Sequence, residues 1–353
     1  MKLAIFLPNW LGDLVMATPT LRAIRRHVGP EAHIVGILRP KLRDVLAGTP
    51  WLDAEWAFDP RGRDPQYHRL ALIRRLRKER FDTAVLLSNS LDTALMAWLG
   101  SVRQRVGYAR YGRGPLLTKK LQPLRHNGVF TPAPMVLTYL ALAEAIGCPL
   151  ESPRLELTTT ESEEKVGDQI WRQLGLRTDG RVVALNFGGA FGAAKRWSPE
   201  HGGLLAQRIA GELDHDVLVI CGPGEEPVAR EIVANAKHPR VFSLADQTLG
   251  IATTKSCLRR IRLFVSTDSG PTHIAAAFGK PVITLFGPTS PKWIENPTIR
   301  GNYLRLDLDC LECAKRVCPQ GHHRCMTELT PDIVLKAVVK ILESGDSTCA
   351  CST

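Results

Sequence analysis

Leu3-Ala4-Ile5-Phe6-Leu7-Pro8-Asn9-Trp10-Leu11-Gly12-Asp13 decides how the rest of the chain is read. Its first five residues are apolar without alternation. That is the pattern of a strand covered on both faces, as in parallel sheets flanked by helices. Outward from it the same alternation continues, with strands expected at 33–38 and 83–87 and helices at 17–27, 41–46 and, strongly basic, at 68–78. The pattern breaks at 151–180, where Pro149 and Pro153 precede an acidic amphipathic helix at 161–174. It then restarts with strands at 182–187, 217–220, 263–266 and 282–286. The expected fold is therefore α/β, with two doubly wound Rossmann-like domains facing a central cleft. Residues 1–155 form the first domain, 156–180 a linker and helix, 181–330 the second domain, and 331–353 a closing helix and tail. At 353 residues the chain suits two domains of roughly 150 residues each. Ligands in such sheets bind beyond the carboxyl ends of the strands, so the loops there are searched first.

Composition narrows the function classes. Hydrophobic residues at 44% and charged residues at 23% are the balance of a folded globular protein. The apolar start carries a single Lys2 and is interrupted by Pro8, Asn9 and Asp13, so it is not read as a targeting segment. No run approaches the roughly 18 apolar residues of a spanning helix. Nine cysteines without a secretion signal point to a reducing, cytoplasmic compartment. Residues 1–150 hold 22 Lys plus Arg against 11 Asp plus Glu, whereas 151–353 hold 24 against 24, so the whole net charge of +11 belongs to the first half. A basic first domain suits an anionic partner: nucleic acid, an acidic glycolipid or a membrane surface. It would equally serve as a solvated, solubilising face. No helix-turn-helix, zinc-finger or RNP-like aromatic pattern accompanies the charge, which argues against nucleic acid.

Four loops offer chemistry. In the first, Gly12 lets a ligand approach the backbone and Asp13 is placed to take a proton from a sugar hydroxyl, or simply to serve the turn. The second, Gly188 to Trp197, has small residues followed by Lys195 and Arg196, two cations able to neutralise a pyrophosphate without a Walker pattern, or to sit solvated on a flexible loop. The third contains Glu225 and Glu226, which would bind ribose hydroxyls or begin a helix. The fourth is Ser266-Thr267-Asp268-Ser269-Gly270-Pro271-Thr272-His273, where Asp268 or Ser269 is expected to cap a helix whose first amides bind an anion. His273 would meet the ligand or pack. Finally, Cys310-x2-Cys313-x4-Cys318-x6-Cys325, with His322 and His323 between, has the soft ligands of a structural zinc site, with disulfides or a reduced cluster as alternatives. No catalytic metal is expected, since four cysteines leave no open position.

Taken in order, Asn9-Trp10-Leu11-Gly12-Asp13, Leu87-Ser88-Asn89-Ser90, Arg105-Val106-Gly107-Tyr108, Gly192 to Trp197, and Thr267-Asp268-Ser269-Gly270 with His273 resemble the ADP-heptose:lipopolysaccharide heptosyltransferases of glycosyltransferase family 9, most closely the heptosyltransferase II type. The resemblance implies a GT-B fold and an inverting transfer of L-glycero-D-manno-heptose from ADP-heptose to the lipopolysaccharide inner core. It would work with no required cofactor, at the cytoplasmic face of the inner membrane. It implies that Asp13 is the general base. Lys195 would lie near the diphosphate, with Thr267, Asp268, Ser269, Gly270 and His273 in the donor loop, and Glu225 or Glu226 is a looser match to the family's ribose-binding acid. Candidate acceptor contacts are Asn89, Ser90, Arg103, Arg105, Arg110 and Arg113, each arginine being alternatively a plain surface cation. The cysteine cluster departs from the enterobacterial pattern. A nucleotide-sugar 2-epimerase, a transferase of another nucleotide sugar and a non-catalytic binder are the competing readings.

Overall fold

The computed structural model describes residues 1–188 and 192–346; 189–191 of the glycine-rich loop and the tail with Cys349 and Cys351 lie outside the described residues. Six strands, β1 (Lys2–Phe6), β2 (His33–Leu38), β3 (Ala54–Ala57), β4 (Thr83–Leu86), β5 (Gln104–Tyr108) and β6 (Lys119–Leu121), form a sheet in the order β3-β2-β1-β4-β5-β6. A small antiparallel hairpin, β7 (Arg125–His126) and β8 (Val129–Phe130), follows. Six more strands, β9 (Val182–Asn186), β10 (Asp216–Val219), β11 (Val241–Ser243), β12 (Leu263–Thr267), β13 (Val282–Leu285) and β14 (Gly301–Leu304), repeat the same order as β11-β10-β9-β12-β13-β14. Every neighbour pair within both six-stranded sheets is parallel. This is the doubly wound order with a switch point between its first and fourth strands.

The apolar run that opens the chain becomes the central strand β1, with Ile5 opposite Gly36 on one side and Val85 on the other. Ala4 and Phe6 join a core with Trp56, Leu72, Leu76 and Phe81, while Leu3 and Ile5, alternating to the other face, are equally buried. Each large side chain so buried contributes about 1.5–3 kcal/mol.

Two local expectations are corrected. The helix expected at 17–27 forms as Thr18–Val28, but a further short helix, Leu11–Met16, precedes it where a loop was expected; the two stay separate because Pro19 in the first turn of the second lacks the N–H that a continuous helix needs there. Asp13 therefore sits inside a helical first turn and not in a loop. The helix expected at 41–46 is a tighter turn, Pro40–Val45, whose buried residues Leu42 and Val45 are three apart, as a three-residue period demands.

The chain divides into two compact units. The first is Met1–Thr158 together with Lys292–Thr298, the second Thr159–Pro291 and the chain from Ile299 on. The acidic helix forms at Glu161–Leu174, started by a capping box between Thr160 and Glu163 and stopped by left-handed Gly175. It is no free linker: the buried pair Lys255 Nζ–Glu163 Oε1 at 2.9 Å ties it to the helix Ile251–Arg260 of the second unit. The return of 292–298 to the first unit is held by Asn296 Nδ2, which donates to the Pro153 carbonyl at 2.8 Å.

Candidate functional site

In the first unit three loops meet at the carboxyl edge of the sheet, after β1, β4 and β5. Asp13 stands in the first turn of the helix Leu11–Met16, where the helix dipole favours a carboxylate. Its Oδ1 accepts a hydrogen bond at 3.1 Å from the hydroxyl of Tyr139, on the helix Met135–Glu144. Burial, and then the Asp13 charge, hold the Tyr139 phenol well above its ordinary pKa, so it stays a donor. Asp13 itself is half-buried, with Asn9 and Trp10 exposed beside it. A partly wet carboxylate with an oriented donor behind it can accept a proton from an incoming hydroxyl.

The six acceptor candidates separate. Arg113 is no surface cation: it is fully buried, donating to the carbonyls of Tyr108 (2.8 Å) and Ser88 (2.5 Å) and to Asn89 Oδ1 (2.7 Å), and so binds the ends of β4 and β5 together. Burial, then the nearby Arg110 charge, lowers its pKa to about 10, still cationic at neutral pH. Ser90 accepts from the Thr93 amide and caps the helix Leu91–Leu99. Arg103 and Arg105 lie at the amino end of β5, about 16 and about 10 Å of strand from its carboxyl edge; Arg105 donates to the backbone carbonyls of Val102 and Leu116. Only Asn89 and Arg110 line a cavity near that edge. Its volume is about 240 Å³, and Tyr108, Phe130 and Trp293 complete its wall. The Arg110 guanidinium stacks 3.8 Å from the Phe130 ring centre, and Phe130 stacks on Trp293.

In the second unit the corresponding edge gathers the loops after β9, β10, β12 and β13. Lys195 Nζ is buried and donates to Asp268 Oδ2 at 2.5 Å and to the Asp268 carbonyl at 3.1 Å. The same carboxylate oxygen accepts from Thr289 Oγ1 at 2.8 Å. Asp268 therefore does not cap the following helix, Gly270–Ala277. Ser269 precedes that helix without a side-chain cap, its hydroxyl pairing with Ser266 Oγ at 2.9 Å. The first amides of the helix lack a side-chain cap, as an anion site requires. Thr267 Oγ1 donates to the Gly188 carbonyl at 2.8 Å and holds the glycine-rich loop against β12.

His273, one turn into the helix, is buried, and its Nδ1 has no hydrogen-bond partner among the described residues. Desolvation lowers its pKa to about 4, opposed by Asp268 and assisted by Lys195, so the ring is neutral. Lys195 and Arg196 part company, the first buried in the cluster and the second exposed. Glu225 Oε2 accepts from the Gly222 amide at 2.9 Å and its carboxylate leaves no room for a Cβ on Gly188, so it lies against the end of β9. Glu226 instead accepts from the Gly224 amide inside the first turn of the helix Glu226–Ala236. A cavity of about 610 Å³ is at the amino ends of the strands beside Arg181, His215 and Arg262, away from these loops.

Two residues of these clusters escaped the sequence reading. Tyr139 is 126 positions from Asp13 and carries no local signal. Thr289 follows β13 in Gly287-Pro288-Thr289, a turn at a carboxyl end that the strand-end rule would have flagged. The described cysteines are all free thiols, and among the described residues no group of three or more His, Cys, Asp or Glu stands at metal-holding geometry.

The chain's similarities to known proteins follow this geometry. The profile of glycosyltransferase family 9 (heptosyltransferase) matches residues 69–324. The lipooligosaccharide heptosyltransferase 2 of Campylobacter jejuni is 26% identical over 361 residues, covering 98% of this chain and 99% of that protein. The solved Escherichia coli ADP-heptose lipopolysaccharide heptosyltransferase II superposes with a TM-score of 0.76 at 24% identity, over 98% of this chain and 100% of the other. A family 9 glycosyltransferase from Veillonella parvula superposes at 0.83 with 21% identity, over 97% of each chain.

Proposed function

The chain belongs to glycosyltransferase family 9, and from that premise we propose that it transfers L-glycero-D-manno-heptose from ADP-heptose to the inner core of a lipopolysaccharide acceptor, inverting the anomeric centre. The observation that carries the reading is the buried Lys195–Asp268–Thr289 cluster beside a helix start with no side-chain cap, in a chain alignable end to end with a heptosyltransferase 2. In this reading the Asp13 carboxylate takes the proton of an acceptor hydroxyl, whose oxygen attacks C1 of the heptose. The C1–O bond to the diphosphate breaks and ADP leaves. Tyr139 orients Asp13 and, by donating to it, favours its charged form. Lys195 and the first amides of Gly270–Ala277 stabilise the negative charge growing on the leaving diphosphate. Arg196 adds a solvent-side cation, and Glu225 is better placed than Glu226 for ribose hydroxyls. On the acceptor side Asn89 and Arg110 are the contacts retained.

The test is ADP release from purified protein given ADP-heptose or other nucleotide sugars, with and without a deep-rough lipopolysaccharide acceptor. Acceptor-dependent release with ADP-heptose supports the reading; release with a different sugar only, or none with any, overturns it.

As the finer partner we propose an anionic membrane surface on the cytoplasmic side, a reading supported by two helices of the first unit. Arg69–Glu79 and Leu91–Leu99 are bound side by side through Arg69–Asp92 at 2.7 Å and Arg77 Nε to the Leu99 carbonyl at 2.7 Å. Leu91, Leu95 and Trp98 are exposed at helical spacing on one, and Leu70, Arg74, Arg77 and Lys78 on the other. Apolar anchors beside cations suit anionic lipid. Co-sedimentation with anionic but not zwitterionic vesicles, lost in Leu95→Glu/Trp98→Glu, is the expected result; equal binding to both or to neither refutes it. Among the described residues no helix is long and apolar enough to cross a membrane.

A further inference from the structure

From Asp307 to Cys325 no described side chain is buried, and the segment has no regular structure before the four-residue helix Arg324–Thr327. Apolar packing therefore does not hold it. Its backbone is nonetheless tightly turned. Glu312, Ala314 and His323 adopt left-handed φ without being glycine, as does Gly321, and such residues cost of order 1–3 kcal/mol each unless the surroundings over-determine them. The turns flank the cysteines: Glu312 and Ala314 bracket Cys313, and Gly321 follows Cys318-Pro319-Gln320.

What the turns achieve is convergence of sulfur. Cys310, Cys313, Cys318 and Cys325 line one small cavity of about 20 Å³. In a reduced protein a Cys-x2-Cys followed by two further cysteines around one point is tetrathiolate chemistry, which selects zinc or iron.

The same segment grips the nucleotide-side loops. The Ala194 amide donates to the Arg316 carbonyl at 3.0 Å, His323 Nε2 lies 2.8 Å from the Ala194 carbonyl, and the Ala314 amide donates to the Pro288 carbonyl at 2.7 Å. A Cβ on Gly192 would stand 2.6 Å from the Arg316 carbonyl oxygen, so the two segments touch backbone to backbone. The gripped segments carry Lys195 and Thr289, both partners of Asp268.

We infer that Cys310, Cys313, Cys318 and Cys325 bind one divalent zinc or iron ion as a tetrathiolate, and that this centre is a clasp holding the 192–195 and 288–289 segments in position for the nucleotide. The thiols give up their protons to solvent and swing inward about their Cα–Cβ bonds, since they do not stand at ligand geometry beforehand. The clasp's effect on nucleotide binding rests on the transferase reading above; the metal site does not.

The test uses the full chain, expressed in metal-replete medium. Metal analysis should find about one equivalent of zinc or iron per chain, identifying which, and Cys318→Ser and Cys325→Ser should each lose most of it. Cobalt added to chelator-stripped wild type should give sulfur-to-cobalt charge-transfer absorption, a readout that does not depend on whether the serine variants fold. ADP affinity should fall several-fold on stripping. Metal-free protein with no cobalt–thiolate bands, disulfides between these cysteines after purification under reducing conditions, or full metal in both folded serine variants overturns the site. Unchanged ADP affinity after stripping overturns the clasp alone. Failure of the loaded protein to bind ADP overturns the transferase reading and leaves the metal count standing.

Discussion

The two sheets have the same strand order and the same parallel pairing, yet their carboxyl edges are furnished in opposite ways. In the first unit a half-exposed carboxylate, Asp13, accepts from a neutral donor, Tyr139. In the second, Asp268 is locked by the Lys195 cation and the Thr289 hydroxyl, beside a neutral, buried histidine. The comparison teaches that topology supplies only the position of a site. Its character comes from how much water and how much opposite charge the loops leave around each carboxylate: in the proposed reading Asp13 takes a proton, while Asp268 shapes a place for an anion.

The largest break in that contrast is Asp13→Asn, which removes the base and should lower kcat by about 10²- to 10⁴-fold while ADP affinity, measured by calorimetry, is unchanged. A matching loss of ADP affinity would mean that Asp13 belongs to the nucleotide side. Lys195→Met should cost about 10²- to 10³-fold in kcat/KM, because it deprives the leaving diphosphate of its cation and leaves Asp268 unpaired. Asp268→Asn keeps the shape and should cost less.

His273 sharpens the comparison through pH. The unfolded chain takes up this proton near the ordinary pKa of 6.5, the native chain only near 4. Its contribution is therefore fully present above about pH 6.5 and is lost as pH falls towards 4, by an amount on the order of 3 kcal/mol. Denaturant titrations across that range should show His273→Asn with a flatter dependence than wild type, and an equally steep curve would mean that another group carries the loss. The smallest effect is expected of Tyr139→Phe, about five-fold in kcat/KM, for one hydrogen bond of about 1 kcal/mol. Its signature is an acid limb of the pH–rate profile moved to higher pH, because the carboxylate has lost a donor that favoured its charged form. A uniform drop at all pH values would instead indicate a structural role.

Much of the fold was legible because its signals are local. The continuous apolar runs at β1, β2, β9 and β12 marked two-sided burial, and Thr160 with Glu163 and Gly175 marked both ends of the helix Glu161–Leu174. Where reading failed, a proline or a short period was decisive, as at Pro19 and in the turn Pro40–Val45. The candidate sites were legible only as loops. Asp13, Lys195, Asp268 and His273 were singled out by residue type and strand-end position. That Lys195 meets Asp268 across 73 positions, that Arg113 is buried and that Arg103 and Arg105 stand at the wrong end of β5 were not.

By itself, then, the sequence determined a basic first half, two runs of parallel strands and the loops in which chemistry would sit, since each of these is written within a few consecutive residues. Only the tertiary structure decided that Asp13 lies in a helical first turn under Tyr139, that Asp268 is paired and not a cap, and that four cysteines line one small cavity beside the Lys195 segment. The reason is physical. A parallel sheet returns the chain to the same edge after every crossover, so residues far apart in sequence become neighbours, and which partner a charged group finds there depends on burial and packing that no short stretch encodes.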